Sequence, residues 1–291
     1  MRKQLVKTVE SILESNKRSV LLLGDIGVFG FRKSIERYPN RAYNIGILEQ
    51  TTIGLAAGLS KTNLIPIVHT IAPFLVERAY EQLKIDFGYQ ELNGNFISVG
   101  SSYDYASLGP THHCPGDVPI LKNIPNMQII VPGNSDEFDF LFNKAYDNDK
   151  PTYYRLSEYE NEYKVNVEVN KANLIKTGSK ATIICIGNML DRVLKACEDM
   201  DVTILYYTTI SPFDCDLLNE NFNENIIICE PYYEGCLNYE INKTFTNKNH
   251  RILNIGVPHK FLKNYGKKEE HDANLGLDVV SICEKIKKFI C

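Results

Sequence analysis

Residues 49–69 read EQTTIGLAAGLSKTNLIPIVH. The first part, Glu49–Lys61, is rich in Gly, Ala and Leu and has the length of a helix, whereas Leu64–His69 is a short aliphatic run of the kind that forms a buried strand. Helices that alternate with such strands are typical of a parallel sheet with helices on its faces. This stretch therefore predicts the α/β fold class.

The alternation continues in both directions along the chain. A polar stretch, Glu158–Thr177, reads as a linker with one edge strand at most. Strand and helix patterns resume at Ala181–Ile186 and end with a helix at Asp278–Ile290. We predict two domains, residues 1–165 and 170–291, each a mostly parallel sheet flanked by helices. The other strand patterns of the first half are Ser19–Gly24, Asn95–Gly100, Met127–Val131 and Thr152–Leu156.

The composition argues against several classes of protein. The chain has 291 residues, of which 44% are hydrophobic and 23% charged, as in ordinary globular domains. Its formal net charge is 32 − 36 = −4, which does not favour a nucleic-acid or membrane surface. No apolar run reaches the roughly 18 residues that a membrane span needs. The start, MRKQLVKTVESILESNKRS, is amphipathic and unlike a signal peptide, so we expect a cytoplasmic protein whose eight cysteines are free.

Common nucleotide-binding and hydrolase motifs are absent from the sequence. It has no GxGxxG after a strand, no GxxxxGK[ST], no HExxH and no GxSxG. One candidate site is Gly46–Gln50, GILEQ, because Glu49 would lie at the carboxyl edge of the sheet, where α/β proteins bind ligands. The alternative is an acid at a helix N-terminus, where the helix dipole favours it.

Two further clusters carry candidate side chains. The loop Leu108–Asp117 reads LGPTHHCPGD and offers His112, His113 and Cys114. A zinc site is not favoured, because the sequence offers no second pair of ligands. A Cys–His nucleophile is not favoured either, because near neighbours in extended chain do not face each other. The favoured interpretation is a histidine that hydrogen-bonds a substrate. The other cluster, in the proline-initiated stretch Thr70–Gln82, includes Phe74, which is either part of a packing face or a flat surface for an aromatic ligand.

Taken in order along the chain, these clusters resemble one family. The runs NIGILEQTTIGLAAGLSKTNLIPIVHT, FLVERAYEQLKID and LGPTHHCPGDVPILKNIPNMQIIVPGNSDE are similar to the pyrimidine-binding domain of transketolases and 1-deoxyxylulose-5-phosphate synthases. The runs ATIICIGNML, YYTTISPFD, NIIICEPYYEGCLNYEI and ILNIGVPHKF resemble their carboxyl-terminal domain. The GDG motif of the family's diphosphate-binding domain is missing, so the chain resembles the carboxyl-terminal half of a split transketolase.

This resemblance implies a cofactor and a partner. Thiamin diphosphate would lie between this chain and a separate amino-terminal transketolase-like subunit, in a heterotetramer with two copies of each chain. Glu49 would hydrogen-bond the aminopyrimidine nitrogen N1′, Phe74 would stack on that ring, and Asp25 would lie near the cofactor. His112 and Arg155 would contact a sugar substrate. Mg²⁺ would be bound by the partner chain, so no metal ligand is expected here.

The implied reaction is transfer of a two-carbon ketol unit to a sugar or a sugar-derived aldehyde. Leu108 stands where transketolases have an acidic residue, and Glu158 stands where the sugar-phosphate enzymes of the family often have an arginine. Because a carboxylate repels a phosphate, we expect an acceptor other than a simple pentose phosphate, such as an unphosphorylated or nucleotide-linked sugar.

Three alternatives to this activity remain. They are a pyruvate-using synthase, a β-type chain of a 2-oxoacid dehydrogenase, and a non-catalytic scaffold protein. The run Gly109–His112 favours the transketolase branch over the dehydrogenase. Glu49 argues against a scaffold, because a buried unpaired carboxylate is costly without a ligand. The small-residue face of Thr51–Leu59 is a candidate contact between chains, with packing inside the domain as the alternative.

Overall fold

Twelve strands form two sheets in the computed structural model, which describes residues 1–291. No helix is both long enough and apolar enough to cross a membrane. The strands are β1 (Ser19–Leu23), β2 (Ala42–Asn44), β3 (Ile65–Ile71), β4 (Gly94–Val99), β5 (Gln128–Ile130), β6 (Pro151–Arg155), β7 (Ala172–Lys176), β8 (Thr182–Ile186), β9 (Thr203–Tyr207), β10 (Thr209–Ser211), β11 (Asn225–Tyr233) and β12 (Arg251–Val257).

Helices connect the strands and cover the sheets. They are α1 (Arg2–Ser15), α2 (Val28–Arg37), α3 (Glu49–Lys61), α4 (Ala72–Leu75), α5 (Tyr80–Gln82), α6 (Asp117–Leu121), α7 (Ser135–Ala145), α8 (Leu190–Ala196), α9 (Cys215–Glu220), α10 (Asn238–Thr244), α11 (Lys268–Leu275) and α12 (Val279–Ile290). A π-helical turn at Leu83–Tyr89 follows α5, and single 3₁₀ turns lie at Ala106–Leu108 and Gly187–Met189.

The first sheet has seven strands in the order β10-β5-β6-β4-β3-β1-β2. All neighbouring pairs are parallel except β10 with β5. Strands β1 and β3 are buried along their whole length. A parallel sheet has both faces covered, which explains why these strands read as continuous apolar runs rather than as alternating ones. The predicted α/β class with mostly parallel sheets is confirmed.

The second sheet has five strands in the order β12-β11-β8-β9-β7, and only β7 is antiparallel to its neighbour. Strand β7 lies in the polar stretch Glu158–Thr177, where one edge strand was expected. Strand β10 follows β9 directly in sequence but pairs with β5 of the first sheet, with Thr209 opposite Ile130. No strand is predicted over Thr209–Ser211, because three residues carry no readable periodicity.

Both apolar cores extend across the two halves of the chain. Leu21 on β1 and Ile183 on β8 belong to one core, whereas Leu22 and Ile184 belong to the other. This division follows from the strand geometry, in which successive side chains point to opposite faces of a sheet. The two halves are therefore packed together through shared apolar layers.

A buried ion pair lies where the two halves meet. Nε of Arg155, the last residue of β6, donates to Oδ2 of Asp117 at 2.7 Å, and both side chains are at most 1% exposed. Nη2 of Arg155 also donates to Oγ of Ser102 at 2.6 Å and to the carbonyl of Pro231 at 3.4 Å. The guanidinium lies 5.5 Å from the centroid of the Tyr232 ring. Arg155 thus joins the first sheet to β11.

Replacing Arg155 by glutamine should destabilise the protein strongly. The change leaves Asp117 buried without its cation, a loss of about 3–5 kcal/mol in the free energy of unfolding. Urea unfolding at pH 7 measures it. Arg37→Gln is the matched control, since it removes an exposed partner of Glu14 and should leave the urea midpoint in place. A loss at Arg155 no larger than the loss at Arg37 would contradict this account.

Candidate functional site

Glu49 is the first residue of α3 and lies at the carboxyl edge of the first sheet. It lines a small cavity with Gly24, which follows β1, and with Thr70 near the end of β3. Its side chain is 4% exposed, and its Oε2 accepts a hydrogen bond from Nη1 of Arg78 at 2.9 Å. Its Oε1 is buried and has no partner. Leu48 is the N-cap residue of α3, and Glu49 is the acid in its first turn, where the helix dipole favours a negative charge.

A chain of contacts runs from this carboxylate through Arg78 and Phe74 to His112. The guanidinium of Arg78 lies 4.2 Å from the centroid of the Phe74 ring. The His112 ring lies 5.5 Å from the same ring, edge-on, with an interplanar angle of 65°. We call Glu49, Phe74, Arg78 and His112 the Glu49 cluster. The structure therefore brings together three residues that were singled out separately in the sequence.

Arg78 is the member of the Glu49 cluster to which the sequence analysis assigned no role. The chain is not α-helical between α4 and α5, and Arg78 lies in this interruption. Its spacing of four residues from Phe74 was the available signal, because residues four apart lie on the same face of a helical turn. Its partner on α3, Glu49, is distant in sequence, so no local pattern predicts their contact.

The loop that carries His112 is closed at its base. The backbone N–H of Cys114 donates to the carbonyl of Ser102 at 2.7 Å, and these two residues form an isolated antiparallel bridge. His112 is partly exposed, whereas His113 is buried and neither of its ring nitrogens has a partner. Burial raises the pKa of the Cys114 thiol well above its ordinary value, so it does not form the thiolate that a nucleophile needs.

Asp25 lies at the same sheet edge, outside the Glu49 cluster. It is exposed in the turn after β1, with φ of +65°. Its backbone N–H donates to Oδ1 of Asn44 at 3.0 Å, and Nδ2 of Asn44 donates back to Oδ1 of Asp25 at 3.2 Å. The turn also includes Gly24, which lines the cavity beside Glu49. Asp25 is therefore held near the cluster with one carboxylate oxygen uncommitted.

Arg155 corrects an expectation. Its guanidinium is buried and bonded to Asp117 and Ser102, so in this structure it is not available to a substrate. The physical reason is that Asp117 and the carbonyl of Pro231 converge on the end of β6 from other parts of the chain. A role in joining the two halves replaces the expected substrate contact.

His69 is a buried polar residue of β3, and its sequence context predicts only a position in a strand. Its Nδ1 bonds the carbonyl of Ile97 at 2.9 Å, which makes Nδ1 the donor and leaves a lone pair on Nε2. Nε2 is buried and has no partner. The ring packs on Gly27, where an added Cβ would lie 2.8 Å from Cδ2 of His69. Burial lowers the pKa of His69 to about 4, so the ring is neutral at neutral pH.

Comparison with known families identifies both halves of the chain. Residues 1–162 match the family model described as transketolase, pyrimidine binding domain, and residues 170–282 match transketolase, C-terminal domain. The chain belongs to the transketolase family. The family implies thiamin diphosphate as the cofactor.

Several relatives of this transketolase-family chain are close enough to align along most of it. An uncharacterized 33.6 kDa protein in the fasciation locus of Rhodococcoides fascians is 35% identical over 97% of this chain and 92% of its own length. A protein of Phocaeicola vulgatus, named as one of the subunits of apulose-4-phosphate transketolase, is 26% identical over 99% of this chain and 97% of its own length. The 1-deoxy-D-xylulose-5-phosphate synthase of Pseudoalteromonas translucida is 29% identical over 90% of this chain, which spans only 43% of that enzyme.

A solved structure has the same fold over its whole length. It is described as a split gene transketolase, inactive beta4 tetramer, and superposes with a TM-score of 0.86 at 23% identity, covering 99% of this chain and 97% of its own. At that identity the likeness concerns the fold. The two domains are therefore arranged in this transketolase-family chain as they are in that structure.

The residues of the Glu49 cluster fit the aminopyrimidine end of thiamin diphosphate. Oε1 of Glu49 is a buried acceptor without a partner, which a protonated ring nitrogen would satisfy. Phe74, whose ring packs on the Arg78 guanidinium, supplies an aromatic surface for a flat ring. The diphosphate end requires a metal ion with oxygen ligands, and the chain has no group of three or more His, Cys, Asp or Glu side chains that could hold one.

Acidification should destabilise this protein partly through His69. The unfolded chain binds a proton at His69 near pH 6.5 and the folded chain only near pH 4, so stability falls as the pH drops through this window, by about 3 kcal/mol in total. In His69→Asn, whose amide can still donate to the Ile97 carbonyl, this part of the slope should be absent. Urea unfolding at several pH values measures it.

The control for this prediction is His259→Asn, which removes an exposed imidazole from the second half of the chain. Its unfolding free energy should follow that of the wild type at every pH. If the difference in unfolding free energy between His69→Asn and the wild type is the same at pH 7.5 as at pH 4.5, the inference that His69 is buried in its neutral form is wrong.

Proposed function

We propose that this chain is the carboxyl-terminal subunit of a two-chain, thiamin-diphosphate-dependent transketolase-like enzyme. The enzyme transfers a two-carbon ketol unit to a sugar or a sugar-derived aldehyde. This chain supplies the aminopyrimidine half of the cofactor site, and a separate amino-terminal transketolase-like subunit supplies the diphosphate half with its Mg²⁺. The site is complete only when both chains are assembled.

The observation that carries this proposal is the unpartnered Oε1 of Glu49. A buried carboxylate oxygen without a hydrogen bond costs free energy, and such groups concentrate where a ligand completes them. Its position at the first turn of α3 is favourable for the negative charge. Arg78 holds the other oxygen, and Glu49 lines the cavity at the sheet edge.

Each member of the site has a distinct task in this proposal. When bound, the cofactor supplies the nucleophilic carbon that breaks and forms the ketol carbon–carbon bond. Glu49 holds a proton at the ring nitrogen N1′ through Oε1, and Phe74 stacks on the ring. His112 donates a hydrogen bond to substrate oxygen, and Asp25 borders the cofactor at the end of β1.

Two relatives support a divided enzyme. The Rhodococcoides fascians and Phocaeicola vulgatus proteins each align with this chain over more than 90% of their own lengths, and the name of the second describes it as one subunit of its enzyme.

The exposed face of α3, with Gly54, Leu55 and Gly58, supports a contact with another chain. Ile47 and Leu48 continue this apolar surface and are 66% and 55% exposed. A heterotetramer built around this face accounts for these exposed residues.

The charges near His112 support an acceptor without a terminal phosphate. Glu158 is exposed after β6, and its pKa is raised by partial burial and by the nearby charge of Asp104. The backbone N–H of Glu158 donates to Oδ2 of Asp104 at 3.0 Å, which keeps the two carboxyl groups together. Burial raises the pKa of Tyr105, whose ring lies 6.5 Å from the His112 ring, and the charges of Glu158 and Asp104 raise this pKa further. When ionised, these two carboxyl groups repel a phosphate.

A pyruvate-using synthase is the second candidate. The observation in its favour is the 29% identity to a 1-deoxy-D-xylulose-5-phosphate synthase along 90% of this chain. The aminopyrimidine site serves either donor, because Glu49 and Phe74 act on the cofactor. Assays should therefore offer pyruvate as well as ketoses as the donor, and release of CO₂ distinguishes the two reactions.

Glu49→Gln should inactivate the assembled enzyme without dissociating its subunits. The amide can still lie near the ring nitrogen but cannot hold and release its proton, so turnover should fall by at least about 100-fold. Steady-state turnover and complex mass are measured on the chain purified with its partner. Glu36→Gln, at an exposed site on α2, is the matched control and should keep full turnover. Near-normal turnover of Glu49→Gln would remove Glu49 from the mechanism.

Glu158 should select against phosphorylated acceptors. Glu158→Arg replaces a repelling charge with a phosphate-binding one and should raise kcat/KM for pentose phosphate acceptors about tenfold. Glu158→Gln separates loss of repulsion from gain of attraction and should have an intermediate effect. Competition assays with phosphorylated and unphosphorylated aldehydes measure both. High wild-type activity on xylulose 5-phosphate plus ribose 5-phosphate would refute this acceptor class.

A further inference from the structure

The loop that carries His112 rests against the carboxyl-terminal domain at Gly109. This glycine has φ of +75°, and a Cβ added to it would lie 2.6 Å from Cε1 of Tyr265. The tyrosine ring therefore packs directly on the backbone of Gly109. Tyr265 belongs to the irregular segment between β12 and α11, more than 150 residues further along the chain. Only a glycine at position 109 permits this approach.

Further contacts tie the residues on either side of His112 to α11. The hydroxyl of Tyr103 donates to Oδ1 of Asp272 at 2.6 Å. Asp272 in turn accepts from Nζ of Lys268 at 2.9 Å. The buried ring of His113 lies edge-on to His271, 5.7 Å between centroids. These contacts hold the loop on both sides of His112.

His112 itself faces the other way. Its ring packs against Phe74 of the first domain, while its neighbour His113 packs against His271 of the second. The loop is therefore a layer between the two domains, with one side towards the Glu49 cluster and the other towards α11. A shift of the carboxyl-terminal domain against the first sheet would move His112 relative to Phe74.

Tyr265 has a feature that a packing residue of the core lacks. Its side chain is 65% exposed, so it adds little to the apolar area that folding buries. Its ring packs on the backbone of Gly109, three residues before His112. Stability therefore does not account for its place on the loop.

We infer that the carboxyl-terminal domain positions the substrate-binding loop through the contact of Tyr265 with Gly109. Tyr265 is a positioning residue that acts through His112, and this inference rests on the role proposed above for His112. Displacement of a substrate-contacting group by about 1 Å can cost about 100-fold in rate. The carboxyl-terminal domain thereby affects substrate use although it contributes no group to the Glu49 cluster.

Amide hydrogen exchange tests the contact directly and requires no turnover. In the chain purified with its partner, Tyr265→Ala should raise the exchange rate of the peptide covering residues 107–116 by about fivefold, because the loop loses its support. Tyr265→Phe keeps the ring and should exchange like the wild type. Tyr239→Ala removes another tyrosine of the same domain, 70% exposed on α10, and should not affect this peptide. Unchanged exchange in Tyr265→Ala overturns the inference.

A double-mutant cycle tests whether Tyr265 acts through His112. Tyr265→Ala should lower kcat/KM for substrate about tenfold, with thiamin diphosphate affinity unchanged, and Tyr265→Phe should restore it. In the His112→Ala background the same change should have no further effect, because residues that act as one unit are not additive. Equal losses in both backgrounds overturn the inference.

The two proposals can fail separately. If the wild-type complex transfers no ketol unit, the proposed function fails, and the exchange experiment still decides whether Tyr265 supports the loop. If the wild-type complex is active and Tyr265→Ala matches it in exchange and in kcat/KM, the inference about Tyr265 fails and the proposed function stands.

Discussion

The burial of the Glu49 carboxylate is the constraint around which this edge of the molecule is built. A carboxylate removed from water needs hydrogen bonds, and Arg78 supplies one while the start of α3 supplies a favourable field. Oε1 is left unsatisfied, so the fold retains a cost that a ligand can relieve. The small residues of α3 allow that helix to pack closely, which holds Glu49 below the surface beside the ends of β1 and β3.

The rest of the chain keeps this edge in place. The pairing of β10 with β5 and the ion pair of Arg155 with Asp117 join the carboxyl-terminal half to the first sheet, and both apolar cores extend across that boundary. The loop of His112 lies between the halves, with Phe74 on one side and Tyr265 behind it. The second domain therefore acts on the site through geometry.

Local sequence patterns predict the α/β class, and the resemblance to transketolases assigns Glu49, Phe74 and His112 to one site. Each of these three stands in a continuous run whose position relative to a strand could be read. Contacts between distant parts of the chain could not be read. The sequence shows the charge of Arg155 but not its pairing with Asp117, which lies 38 residues earlier in the chain. It shows His69 within a strand pattern but not the burial of its ring.

The most direct test of this account is the composition of the native complex. The tagged chain would be purified from its own cells with Mg²⁺ present, and the complex mass, the partner sequence and the thiamin diphosphate content would be determined together. We predict a stoichiometric second chain of about 250–300 residues with the cofactor bound. A chain without such a partner, free of cofactor and inactive after thiamin diphosphate is added, would contradict the central claim and favour a non-catalytic role.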